Sequence, residues 1–159
     1  MNHLSLLLLV LFTLQITVAV PPSPAYIALY RHNQYRLEHG VPPLKWNYQL
    51  AMHAQYWAEQ CYLGHSSVTA GENIGLGYSS IDKAIDHWYQ ESENYNYRTG
   101  HSNNGKETVH FTQVVWKATT DVGCGFAYCQ NLRSSIYVCN YGPTGNVNSE
   151  YRDNVPLPL

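Results

Sequence analysis

This 159-residue sequence predicts an α+β sandwich. Helix-spaced apolar positions occupy its first half, and two cysteine-bearing, strand-like runs close the second. Between them stands an aromatic, β-branched stretch opened by a histidine, His110-Phe111-Thr112-Gln113-Val114-Val115-Trp116. Helices first and paired strands last favour helices packed on a small sheet. The length suits one domain.

Leu4 to Val20 holds no charged residue and contains the run Leu6-Leu7-Leu8-Leu9-Val10-Leu11-Phe12. The small-residue pattern Thr17-Val18-Ala19 then precedes prolines, which reads as a secretory signal peptide over residues 1–20. Thr13, Gln15 and Thr17 interrupt the run, whereas a membrane span needs about 20 largely apolar residues. The expectation is a secreted chain without a transmembrane span, opening with a proline-rich lead over residues 21–24.

Ser23-Pro24 supplies an N-cap and first helical position, and Ile27, Tyr30, Gln34 and Leu37 follow at helical spacing. Gly40 and Pro42-Pro43 stop that helix. Asn47 caps a second, with Leu50, Ala51, Ala54, Trp57, Ala58 and Cys61 on one face. Gly64 to Gly77 reads as a loop around a short extended piece. Ser80 opens a third helix carrying Ala84, Ile85, Trp88 and Tyr89. Asn94 to Glu107 is polar and reads as a mobile surface loop. The His110 stretch reads as a buried helix or strand. Val122–Cys129 and Ser135–Asn140 read as strands joined by a polar turn over Gln130–Arg133.

A net charge of −2 with scattered lysines and arginines argues against a nucleic-acid partner. Four cysteines without a CxxC pair fit disulfides in an oxidising compartment, with three pairings open. No Asn-x-Ser/Thr acceptor for glycosylation occurs. The fourteen tyrosines and four tryptophans suit either a packed core or a surface for amphipathic ligands and protein partners.

Four titratable residues stand at element edges: His65, Glu72, Glu91 and His110. Two neutral imidazoles supply half of a zinc site, and carboxylates orient imidazoles or act as bases. A loop histidine is more often merely solvated, and the chain has eight.

Six motifs in order add to this reading. They are His32-Asn33-x-x-Arg36 with His39-Gly40-Val41-Pro42-Pro43-Leu44; Cys61-x-x-x-His65-Ser66; Gly71-Glu72-Asn73-Ile74; Trp88-Tyr89-x-Glu91; His110 to Gly125; and Tyr137 to Asn146. Together they resemble the signatures of the CAP superfamily, the cysteine-rich secretory, antigen 5 and class-one pathogenesis-related proteins. The resemblance spans residues 25–147 and leaves residues 148–159 as a C-terminal tail. It implies a three-layer α-β-α sandwich, with helices flanking a small, mainly antiparallel sheet. It also implies a central cleft where His65 and His110 hold zinc or another divalent cation beside Glu72 and Glu91. By the same resemblance the bridges are Cys61–Cys129 and Cys124–Cys139. The third bridge usual in pathogenesis-related members, in the loop before His110, is absent, which implies a looser loop.

The resemblance favours a non-catalytic module that binds a sterol or fatty acid, with Trp88, Tyr89, Tyr95 and Tyr97 as candidates for an apolar groove. The alternatives are an extracellular defence or effector protein that recognises a protein partner, and a metal-dependent hydrolase. No Gly-x-Ser-x-Gly elbow or His-Glu-x-x-His helix supports the last, and no residue is assigned as catalytic.

Overall fold

The computed structural model describes residues 21–159; the signal-peptide reading lies outside them. Helix α1 (Pro24–Glu38) starts where Ser23 Oγ accepts the Tyr26 N–H. Helix α2 (Tyr48–Glu59) starts where the Asn47 carbonyl oxygen accepts from Gln49 and Leu50. Strand β1 (Lys45–Trp46) precedes α2, and β2 (Gly71–Leu76) follows it. Next come α3 (Ile81–Gln90), a 3₁₀ turn over Glu91–Asn94, and the hairpin β3 (Tyr95–Asn96) and β4 (His101–Ser102). The chain continues with α4 (Val109–Val115), β5 (Asp121–Cys129), β6 (Ser134–Gly142) and α5 (Tyr151–Asn154).

One sheet runs in the order β1-β5-β6-β2, parallel at β1–β5 and antiparallel elsewhere. Helix α2 lies on β5 and β6, and α1, α3 and α4 pack together on the other side. This is the three-layer α-β-α sandwich. Glycines set the α2 spacing: a Cβ at Gly123 would stand 2.1 Å from the Ala51 nitrogen, and one at Gly125 2.3 Å from the Gln55 Cα. Any side chain there would push the helix off the sheet. Both expected disulfides form. Cys61–Cys129 ties the end of α2 to β5, and Cys124–Cys139 joins directly opposed residues of β5 and β6.

Four features depart from the sequence reading. First, α1 buries Ala28, His32, Tyr35 and Arg36, while Tyr30 and Leu37 are exposed. The interior accepts these polar residues because each is hydrogen-bonded there. The Arg36 guanidinium donates to the carbonyls of Pro42, Val114, Trp116 and Thr119. His32 donates from Nδ1 to the Ala28 carbonyl and accepts at Nε2 from Tyr141, whose oxygen accepts from Asn73.

Second, the segment Asn94–Glu107, expected to be a loop, contains the β3–β4 hairpin and is tied to the body of the protein. Asn103 N–H donates to the Asn94 carbonyl at 2.7 Å, and the Tyr95 ring is buried. Third, the four aromatic groove candidates face inward. Trp88 and Tyr95 are 1% and 4% exposed, and Tyr89 and Tyr97 are half-buried against the same core. Phe111 lies edge-on to Tyr89, Tyr95 and Tyr97. Aromatic rings bury more apolar area in such a cluster than at a solvent-filled groove. Fourth, the tail completes the core. Val155 is 2% exposed, and Asn154 accepts from the Lys117 and Ala118 N–H groups.

Candidate functional site: a paired His/Glu cleft

Helix α4 is short, and the side chain of its N-cap residue Thr108 makes no capping bond. The cap comes from Glu91, in the turn after α3. Its Oε2 accepts the N–H groups of His110 (3.1 Å) and Phe111 (3.2 Å), and its Oε1 accepts from His110 Nδ1 (2.7 Å). A carboxylate at a helix N-terminus satisfies orphan donors and complements the helix dipole. The other end of α4 is held by Arg36 through the Val114 and Trp116 carbonyls. Asn73 of β2 donates to the His110 carbonyl at 3.1 Å.

His65 follows α2 on a loop that turns at Cys61, where φ is +53°. Trp57 Nε1 donates to the Gly64 carbonyl and fixes the approach. Glu72, on β2, then gathers three donors. Its Oε1 accepts from His65 Nδ1 (3.0 Å) and Ser66 N–H (2.8 Å), and its Oε2 from the Ser66 hydroxyl (2.7 Å).

The two halves meet in a cavity of about 200 Å³ lined by Leu63, Gly64, His65, Ile74 and His110. A neighbouring cavity of about 240 Å³ is lined by both His65 and Glu72 together with Gln113 and Asn146. Each imidazole is held at Nδ1 by its own carboxylate, which leaves Nε2 as the free ring nitrogen. Burial lowers the pKa of His110, but the hydrogen bond and charge of Glu91, with the charge of Glu107, outweigh it and raise the pKa overall. The two imidazoles differ in exposure: the His65 side chain is 66% exposed and that of His110 16%.

Glu107 escaped the sequence reading. Its carboxylate joins Glu91 and His110 in a set whose ligand atoms lie within 4.8 Å of one another. The three-residue spacing from Glu107 to His110 across the start of α4 was the available signal. The cleft thus brings both imidazoles to the wall of one cavity and places a carboxylate-rich trio beside His110. Imidazoles suit zinc and copper, while carboxylates suit harder ions.

The profile of the cysteine-rich secretory protein family matches residues 29–141, most of the chain. The chain belongs to the CAP family. Pathogenesis-related protein PRMS of Zea mays is 39% identical over 158 residues, covering 92% of this chain and 94% of that one. The secreted protein RBT4 of Candida albicans is 41% identical over 123 residues, covering 73% of this chain and 34% of its own length. Among solved structures, venom allergen-like protein 4 of Schistosoma mansoni superimposes with a TM-score of 0.70 at 26% identity, covering 86% of this chain and 97% of that one. This CAP protein is secreted, like its relatives, and carries two disulfides and no free cysteine among the described residues. No described helix is long and apolar enough to cross a membrane.

Proposed function

We propose that this CAP protein is a secreted, non-catalytic module whose cleft holds a divalent cation, zinc by preference, through Nε2 of His65 and His110. The observation that carries this is the duplicated clamp: each imidazole donates Nδ1–H to its own glutamate and faces the same cavity. A carboxylate behind a ligating imidazole fixes its tautomer and raises its basicity. Glu72 and Glu91 act here as orienters. Each already accepts three hydrogen bonds, against roughly four lone-pair sites on a carboxylate, which leaves little capacity for general-base work. Ser66 donates to Glu72, and Glu72 stands between it and His65, the reverse of a Ser–His–acid order. The test is calorimetric zinc titration of the wild type and of His65→Ala and His110→Ala. One equivalent should bind near neutral pH, weaken steeply below about pH 6 as the imidazoles protonate, and disappear in either variant. Full uptake by both variants would sink the site.

Lipid binding is a second reading, and one cavity favours it. Ile27, Ile81, Phe126 and Tyr137 contribute a mostly apolar wall to a space of about 190 Å³ beside the starts of α1 and α3. Ligand pockets usually begin near ~300 Å³, so an acyl chain matches this space better than a sterol nucleus. Trp88, Tyr89, Tyr95 and Tyr97 act as core in this reading, rather than as the lipid wall. A fluorescent fatty acid should bind the wild type and be lost on Ile27→Asp. Loss of binding on Tyr97→Ala with Ile27→Asp silent would instead restore the hairpin as the lipid site.

A further inference from the structure

A separate cavity of about 190 Å³ lies between the β3–β4 hairpin and the segment entering α5, lined by Thr99, Gly100, His101, Ser149, Tyr151 and Arg152. It shares no lining residue with the cavities around His65 and His110. No carboxylate lines it, although Glu150 and Asp153 flank Arg152 in sequence. Among the described residues, no hydrogen bond or ion pair engages the exposed Arg152 guanidinium or the exposed His101 imidazole.

A second observation comes from beneath. The Tyr95 hydroxyl is buried without any hydrogen-bond partner, and the residue as a whole is 4% exposed. A Cβ on Gly100 would stand 3.8 Å from that hydroxyl and 3.0 Å from the Tyr151 Cβ. With φ at +77°, Gly100 is suited to its backbone conformation, and its bare Cα leaves the Tyr95 hydroxyl close behind the cavity wall. A buried hydroxyl without a partner is unfavourable, so an acceptor brought within its reach past Gly100 would be favoured.

The wall therefore combines a fork-shaped cation and an imidazole, with no fixed negative charge, and an orphan hydroxyl lies close behind it. Guanidinium groups recognise oxyanions through paired N–H donors. The volume lies below that of pockets that enclose drug-sized ligands, ~300 Å³ and above, which selects a small group. We propose that this cavity binds a tetrahedral oxyanion of the phosphate or sulfate type, gripped by Arg152 and His101 and met from below by the Tyr95 hydroxyl.

The test uses isotope-labelled mature protein titrated by NMR with inorganic phosphate, with inorganic sulfate, and with phosphatidylcholine vesicles containing phosphatidic acid. Saturating shifts centred on Gly100, His101 and Tyr151 are expected. Arg152→Gln should weaken binding about tenfold, the factor that corresponds to one charge-assisted hydrogen bond. Tyr95→Phe keeps the ring and should weaken binding several-fold, with zinc uptake unchanged in both variants. Saturation by the free ions assigns the site to a soluble anion. Saturation by vesicles alone, lost in Arg152→Gln, assigns the same chemistry to a lipid headgroup. No saturable response in any arm, or one untouched by both Arg152→Gln and His101→Gln, overturns the proposal.

Discussion

The two His–Glu pairs use the same side chains and obtain their geometry by different means. Glu91–His110 sits at the buried start of α4, where one carboxylate caps a helix and orients a ring together. Glu72–His65 stands at a loop, with the carboxylate sheltered and the imidazole largely in solvent. The first pair is tied to the core: its helix is held by Arg36 at the far end and by Asn73 at the His110 carbonyl. The second is tied to its own neighbours, Ser66 above all. One imidazole is therefore preorganised by the fold and the other by a local loop. Disturbing the first should cost global stability, and disturbing the second should alter only the cleft.

The largest effect is expected at Arg36. Arg36→Ala strips three buried carbonyls and the part-buried Pro42 carbonyl of a charged donor, at about 1–3 kcal/mol for each unsatisfied group. The variant should lose at least about 4 kcal/mol in urea unfolding or fail to fold. Glu91→Ala removes a helix cap and a partly buried ion-pair partner and should cost about 3 kcal/mol. Glu72→Ala should cost only about 1 kcal/mol, because its donors can turn to water. Equal losses at Glu72 and Glu91 would erase the distinction between the pairs.

The buried side should also govern acid sensitivity. Burial pushes His32 down to about 4, and the charge of Arg36 adds to the effect. A folded pKa below the unfolded ~6.5 means that the unfolded chain binds more protons between those values. Stability should thus fall progressively from about pH 6.5 to pH 4, by roughly 3 kcal/mol if the shift is fully expressed. His110 has the opposite sign. Its raised pKa adds stability that is complete below pH ~6.5 and fades as pH rises through the folded value. As pH falls, imidazole NMR titrations should show His110 protonating before His32; the reverse order would contradict the hydrogen-bond network.

The same contrast explains what the sequence made legible. Local signals survived: Ser23 and Asn47 cap the helices expected of them. The inward face of α1 did not, because apolar spacing misses a histidine and an arginine satisfied by distant carbonyls. The hairpin misled for a related reason. Its polar composition suggested a loop, yet Tyr95 anchors it against Phe111. For the cleft, motifs supplied the four residues, but spacing alone did not reveal that Glu91 caps α4 or that Glu107 converges on it. Both are facts about where one helix begins in space.

The most direct measurement is a zinc-soaked crystal with anomalous scattering at the metal edge. The account expects one ion bonded to Nε2 of both His65 and His110 at about 2.0–2.1 Å, with Glu72 and Glu91 still on the Nδ1 atoms. Zinc on the Glu91–Glu107–His110 trio with His65 uninvolved, or no ordered ion in the cleft, would contradict it.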